Sequence, residues 1–88
     1  MGADFDPEKD AANLAKHGVS LVEGDGVLLD GLALTVEDEA AEGEQRFVTI
    51  GSNSLGELRV VVWTERGDEP RIISVRKPTA KERRDYEG

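Results

Sequence analysis

The only histidine of the chain, His17, lies in the segment NLAKHGVS (13–20). An imidazole has an ordinary pKa close to neutral, so it can act as a base or an acid without a large shift of that pKa. The position also has a structural explanation, because a histidine just before a glycine is typical of a helix end, where its charge offsets the helix dipole. The sequence leaves both interpretations open.

A second chemically promising region is the basic segment 71–84, which contains six basic residues and one acid, Glu82. The whole chain carries a net charge of −8, and residues 37–44 contain five acids and no base. The total charge disfavours nucleic acid as a partner, since phosphate binding depends on lysine and arginine. The uneven distribution still predicts one cationic face. The alternative is that both runs are ordinary solvated surfaces.

The first element that must position these residues is an N-terminal helix. Asp6 and Pro7 are typical of an N-cap and a first helical residue, and Gly18 is typical of the residue that ends a helix. The apolar residues between them have helical spacing: Ala11, Leu14 and Ala15. The pattern predicts a helix that stops at His17.

A second helix is predicted to be short or irregular. Ser20 and Glu23 have the spacing of a capping box, in which each side chain bonds the backbone amide of the other. Gly24 and Gly26 each cost roughly 1 kcal/mol relative to alanine inside a helix. We expect a brief turn that carries three apolar residues inward: Val27, Leu28 and Leu29.

Four segments then have the composition of strands: LALTV (32–36), QRFVTIGS (45–52), ELRVVVWTE (57–65) and RIISVRK (71–77). They are rich in β-branched residues or separated by turn formers, which predicts an antiparallel meander. Thr79 and Glu82 form a capping box for a C-terminal helix. The fold class is therefore α+β, with two N-terminal helices, about four antiparallel strands and a final helix, and the helices are expected to pack on one face of the sheet.

Alternation in the last strand places Ile73 and Val75 in the core and Ser74 and Arg76 on the opposite face. A face that offers Trp63 and Arg76 together would suit RNA, because bases stack on aromatic rings and guanidinium groups bind phosphate. The alternative for Trp63 is a place in the core. Burying a charged residue in a strand costs free energy unless the charge is paired or binds a ligand. The alternative for Arg76 is therefore an ion pair with Glu82 or Glu65.

Composition limits the class of protein. The 88 residues predict a single domain spanning 1–88. There is no cysteine and only one histidine, so a thiolate metal site is excluded and only carboxylates remain as metal ligands. No apolar run reaches the length of a membrane span, and the N-terminus lacks the pattern of a signal peptide. We expect a soluble, cytoplasmic protein.

Several motifs together resemble the BrnT family of type II toxins: KHGVS, DGLALT, EGEQRFVTIG, VVVWTERG and RIISVRK followed by TxxERRxY. The likeness runs from Phe5 to Tyr86. It implies a RelE-like fold and a metal-independent ribonuclease that needs no cofactor and arrests growth. It also implies a ribbon-helix-helix antitoxin of the BrnA type, which covers the toxin and represses the operon with it, so that the toxin meets operator DNA only through the antitoxin.

The resemblance also points to site residues, and RNA cleavage without metal needs a base, a cation at the phosphate and an acid. His17 suits proton transfer, and Arg76 and Arg46 suit the phosphate because a guanidinium stays charged and engages two oxygens. Lys16, Lys77 or Tyr86 would supply the remaining group of this set of base, cation and acid. The candidate catalytic residues are His17, Arg76, Arg46, Lys16 and Tyr86, and the candidate RNA-binding residues are Arg71, Lys77, Arg83, Trp63 and Ser74.

The sequence also departs from the family pattern. The start FDP lacks the tryptophan of F-x-W-D, the entry to the second helix reads SLVEGDG, and the chain is unusually acidic. Two alternatives to an active toxin therefore stand. One is a weakened or inactive homologue that acts only as an antitoxin-binding co-repressor. The other is an acidic regulatory domain that forms a homodimer through an exposed sheet edge.

Overall fold

The computed structural model describes residues 6–38 and 45–88. The elements in chain order are α1 (Pro7–His17), α2 (Glu23–Leu28), β1 (Leu34–Asp38), β2 (Arg46–Ser52), β3 (Leu58–Arg66), β4 (Glu69–Arg76) and α3 (Ala80–Glu87). The strands form one antiparallel sheet in the order β1-β2-β3-β4. The predicted α+β meander with a short second helix is confirmed. Most of the acidic run, residues 39–44, lies outside the described residues.

Helix α1 has the predicted ends. The Asp6 side chain accepts a hydrogen bond from the Glu8 amide at 2.9 Å, and Gly18, with φ of 71°, donates its amide to the carbonyl of Leu14 at 2.8 Å. Leu14 is 53% exposed. The side of α1 that faces the rest of the protein is polar instead, because Asn13 is the residue of this helix that is buried.

Asn13 fastens α1 to the open edge of β4. Its Nδ2 donates to the carbonyl oxygens of Val75 at 2.7 Å and Val19 at 2.8 Å, and its Oδ1 accepts from the Val75 amide at 3.3 Å. The amide side chain thus bonds both backbone groups of one edge-strand residue, as a neighbouring strand would. Leaving such buried groups without partners costs about 1–3 kcal/mol each.

The predicted capping box of the second helix is wrong. Val22 occupies the N-cap position of α2, and no side chain caps the helix. The Ser20 hydroxyl accepts from the Val22 amide at 3.3 Å, before the helix begins, and Ser20 and Glu23 both also have tertiary partners. Ser20 donates to Asp10 Oδ1 at 2.9 Å. Glu23 Oε1 accepts from Asn53 Nδ2 at 2.9 Å and from Arg59 Nε at 3.0 Å, which ties α2 to the hairpin between β2 and β3.

Gly24 allows α2 to lie directly on the sheet. A Cβ at this position would sit 2.9 Å from Ile72 Cδ1, 3.1 Å from Val75 Cγ2 and 3.2 Å from Val61 Cγ1. The core under α2 is a cluster of buried residues with Leu28 and Trp63 packed against it: Val19, Leu21, Val27, Val61, Ile72 and Val75. Leu29 was expected to point inward, and this is wrong because the residue, which follows α2, is 81% exposed.

A register shift in β4 changes which residues face this core. Ser74 pairs with Val62, whereas Ile72 pairs with the next residue of β3, Trp63, so Ile73 is an extra residue without a partner of its own. The buried pair is therefore Ile72 with Val75, and the prediction that Ile73 belongs to the core is wrong. A one-residue bulge reverses the alternation beyond it.

The first strand begins two residues later than the predicted segment 32–36 and extends to Asp38. Asp30 explains the delay, because its Oδ1 accepts from the Leu32 amide at 3.0 Å and its carbonyl accepts from the Ala33 amide at 3.1 Å. This local turn keeps the chain out of the sheet until Leu34.

The helices cover both faces of the sheet, so the expectation that they pack on one face is wrong. Helix α2 packs on the face that carries Val61 and Val75. Arg76 pairs laterally with Val60, so its side chain lies on the opposite face, where it binds Glu82 of α3. Val60 is fully buried without joining the cluster under α2. None of the helices within the described residues is long and apolar enough to cross a membrane.

We expect Asn13→Ala to lower the free energy of unfolding by about 3 kcal/mol or more, since the substitution leaves three backbone groups of Val75 and Val19 unpaired. Urea denaturation measures the change. Leu14→Ala, on the exposed side of the same helix, is the control and should shift stability by about 0.5 kcal/mol or less. Equal effects of the two substitutions would refute the role given to Asn13.

Gly24→Ala should destabilise the protein by about 1–2 kcal/mol, although alanine is the better helix former, because overpacking outweighs propensity here. Thermal and urea unfolding measure the effect. Ile72→Val removes the atom nearest to the added methyl group, so it should be less costly in the Gly24→Ala background than in the wild type. A stabilising Gly24→Ala would contradict the close approach.

Candidate functional site

One face of the sheet, here called the arginine face, carries Arg46, Arg71 and Arg76 together with Ser74. Ser74 and Arg76 pair with Val62 and Val60 respectively, and Arg71 pairs with Thr64, which alternation places on the same side. Arg46 lies two residues before Val48, which pairs with Val62. The sheet therefore places three of the predicted arginines on one face, with Arg46 and Arg71 on either side of Thr64 and Arg76 further along, beside Val60.

The centre of the arginine face is apolar and partly open. Val36, Val48 and Val62 pair across β1, β2 and β3 in one lateral row. Val36 is 64% exposed. A ligand on this face would contact aliphatic side chains flanked by arginines, which suits a chain of phosphates and bases.

Arg76 and Glu82 form a two-pronged ion pair on this face. Nη1 donates to Oε1 at 2.7 Å and Nη2 donates to Oε2 at 2.8 Å. The hydrogen bond from Arg76 lowers the pKa of Glu82 to about 2. The ion pair that the sequence suggested as an alternative role for Arg76 is therefore formed. Its acid is Glu82 and not Glu65.

Glu82 also completes the cap of α3. Its Oε1 accepts from the Thr79 amide at 2.9 Å, while the Thr79 hydroxyl accepts from the Glu82 amide at 3.2 Å. The predicted capping box is thus confirmed. One carboxylate both starts the last helix and binds the arginine of the preceding strand.

His17 lies in a groove between α1 and the edge of β4. The groove has a volume of about 280 Å³ and is lined by Lys9, Ala12, Asn13, Lys16, His17, Ile73 and Ser74. Ser74 also belongs to the arginine face, so the groove and that face meet at this residue. The tertiary structure therefore places Lys16 and His17 beside the strand that carries Arg76.

Tyr86 lies elsewhere. Its hydroxyl donates to Asp30 Oδ2 at 2.7 Å, and the same oxygen accepts from the Ser52 amide at 2.9 Å. The bond to Asp30 raises the pKa of Tyr86, and the bond from Tyr86 is the main cause that lowers the pKa of Asp30. Tyr86 thus ties α3 to the chain before β1. Lys77 and Arg83 are both exposed.

Trp63 and Arg76 do not share a face. Trp63 pairs with Phe47 and Ile72 on the side of α2, and its ring stacks on Phe47 with centroids 4.7 Å apart. Its Nε1 donates to Thr49 Oγ1 at 2.8 Å. A platform combining Trp63 with Arg76 is therefore not formed, although Trp63 is half-buried beside a separate cavity of about 570 Å³.

Sequence reasoning missed Asn13, the residue that sets the position of the groove. A signal existed, because Asp10, Asn13 and His17 recur at helical spacing and form a polar stripe along α1. In the part of the chain that the structure describes, no three His, Cys, Asp or Glu side chains are grouped so that they could hold a metal ion.

The pair of Arg76 with Glu82 predicts a pH dependence of stability. The folded pKa of Glu82 lies below its ordinary value of 4.5, so its contribution is present above that value and is lost as pH falls toward about 2. Glu82→Gln should therefore cost about 1–2 kcal/mol at pH 7 and progressively less below pH 4. Urea denaturation at several pH values measures this. A cost that stays constant with pH would contradict the ion pair.

A match to a family model covers residues 5–82, and the model is that of the ribonuclease toxin BrnT of type II toxin–antitoxin systems. Among solved structures, the crystal structure of the Brucella abortus ribonuclease toxin BrnT is similar, with a TM-score of 0.67 and 24% sequence identity. The similarity covers 90% of this chain and 97% of that one, and at this identity it is a likeness of fold. No curated protein matches the sequence significantly.

The α+β fold is confirmed by this likeness to a BrnT structure, and the family match spans nearly the whole chain. The chain belongs to the family of BrnT ribonuclease toxins of type II toxin–antitoxin systems.

Proposed function

We propose that this protein cleaves RNA without a metal ion or other cofactor, acts in the cytoplasm and arrests growth as the toxin of a type II pair. The observation that carries the proposal is the junction at Ser74 between the arginine face and the groove that holds Lys16 and His17. Cations for the phosphate and a group able to transfer protons adjoin each other there.

In this proposal the RNA backbone lies along the arginine face. Arg71, Lys77 and Arg83 bind flanking phosphates, while Arg76 and Arg46 engage the phosphate that is cut. The 2′-oxygen attacks phosphorus as its proton leaves, and the bond from phosphorus to the 5′-oxygen breaks as that oxygen gains a proton. The products are a 2′,3′-cyclic phosphate and a 5′-hydroxyl. Two arginines offset the charge that develops on the phosphoryl oxygens.

Two groups must move the protons. His17 suits either role, since an imidazole gains and loses a proton near neutral pH. Lys16 lines the same groove and is the candidate for the second role. Tyr86 would have to leave Asp30 to take part, which makes it the less favoured donor in this arrangement.

The proposed partner is a ribbon-helix-helix antitoxin of the BrnA type, which would carry the toxin to operator DNA. Family membership supports an antitoxin partner.

A second candidate function is that of an inactive homologue that only binds the antitoxin, and the ion pair between Glu82 and Arg76 favours it. A homodimer through the open edge of β1, where Leu34 and Val36 are exposed, remains a separate prediction.

Arg76→Ala should lower kcat/KM for cleavage of a fluorogenic RNA by about 100-fold or more, since it removes a cation from the developing charge. His17→Ala should lower kcat by about 100-fold through loss of proton transfer. Arg84→Ala removes an exposed positive charge from α3 outside the proposed site and is the control.

Ribonuclease activity of the wild type should persist in EDTA. Induced expression of the wild type should stop growth unless the antitoxin is co-expressed.

Equal activity of Arg76→Ala and Arg84→Ala would refute the assignment of Arg76. Thermal melts of each variant separate a chemical loss from unfolding. If purified wild-type protein leaves RNA intact and its expression does not slow growth, ribonuclease activity is excluded. Stabilisation by the antitoxin alone would then identify the inactive homologue.

A further inference from the structure

We propose that Glu82 is a latch on Arg76: its carboxylate occupies the guanidinium edge that an RNA phosphate would use, so RNA binds only by exchanging phosphate for carboxylate. The inference rests on the proposed function, because it takes Arg76 as the residue that meets the phosphate. It adds a built-in competitor to that site.

The geometry of the pair is that of a phosphate contact. Both terminal nitrogens of Arg76 are engaged, at 2.7 Å and 2.8 Å, by two oxygens of one anion. A phosphodiester also offers two oxygens and a single negative charge, so it matches the same planar fork. Arg76 cannot bind both anions through this edge at once.

The latch can open without loss of α3. Glu82 Oε1 keeps the Thr79 amide as a donor at 2.9 Å when Arg76 leaves, so the helix remains capped. The far end of α3 is held independently by Tyr86, which binds Asp30. Arg76 Nη1 also lies 3.3 Å from the carbonyl oxygen of Lys77. The exchange therefore requires rotation of the Arg76 and Glu82 side chains, and α3 does not have to move.

The pair is also accessible to a competing anion. The Arg76 side chain is 33% exposed and that of Glu82 is 22% exposed. Solvent and a phosphate can therefore reach the contact from the arginine face. Substitution of the Glu82 carboxylate should free the Arg76 guanidinium for RNA. This change in α3 should therefore raise the affinity of the protein for RNA.

The test measures binding of a fluorescent single-stranded RNA whose 2′-oxygens are methylated, since such RNA lacks the attacking hydroxyl and is not cut. Fluorescence anisotropy at low salt gives Kd. Glu82→Gln should bind about tenfold more tightly than the wild type. Asp85→Asn is the matched control, because it removes one negative charge from α3 without touching Arg76, and it should change Kd by about twofold or less.

Adding Arg76→Gln to Glu82→Gln should abolish the gain. The latch is refuted if Glu82→Gln binds no more tightly than Asp85→Asn, or if the gain survives the loss of Arg76. Glu82→Asp is a second variant that keeps the charge but shortens the reach to Arg76, and it should also bind RNA more tightly than the wild type.

These outcomes are independent of cleavage. A gain that depends on Arg76, in a protein that cuts no RNA, would support the latch and refute the ribonuclease. Cleavage by the wild type without a gain in the Glu82 variants would refute the latch alone.

Discussion

Among the described residues, no strand lies beside the backbone of Val75 on the outer edge of the sheet, and the amide of Asn13 takes that place. Three hydrogen bonds from this side chain hold α1, the loop after it and β4 in one arrangement. Because the amide both donates and accepts, it matches the two backbone groups of Val75 in a way that no apolar residue could. The groove that holds His17 exists because α1 is fixed there.

The remaining connections between elements depend largely on carboxylates. Asp10 accepts from the loop after α1, Glu23 from Arg59 and Asn53, Asp30 from Ser52 and Tyr86, and Glu82 from Arg76. A domain of this size buries a limited apolar surface, so partly buried charged hydrogen bonds add to its stability and specify its geometry. Several of the acids that make the chain negative therefore hold the fold together.

This use of acids explains how a protein with a net charge of −8 can present a basic face. The β-sheet separates side chains by alternation, so Arg46, Arg71 and Arg76 lie on one side, while Trp63 and Glu65 lie on the side of α2. The acids on that face include Asp38, which pairs laterally with Arg46, and Glu82, which the cap of α3 places beside Arg76. The helix start at Thr79 thus contributes to the local charge of the face.

The sequence by itself determined the features that depend on residues close together in the chain. The ends of α1 at Asp6 and Gly18 and the start of α3 at Thr79 follow from hydrogen bonds within a few positions. The meander follows from β-branched segments joined by short turns. The selection of Arg46, Arg71 and Arg76 required only their types and the family motifs.

The tertiary structure alone decided which side each residue faces and what it binds. One extra residue in β4, Ile73, moved the core contacts to Ile72 and Val75, and alternation set Trp63 and Arg76 on opposite faces. Ser20 and Glu23 have the spacing of a cap, but Asp10, Asn53 and Arg59 compete for them across the fold. Such outcomes depend on groups distant in sequence, whose approach is set only when α1 and α2 pack on the sheet.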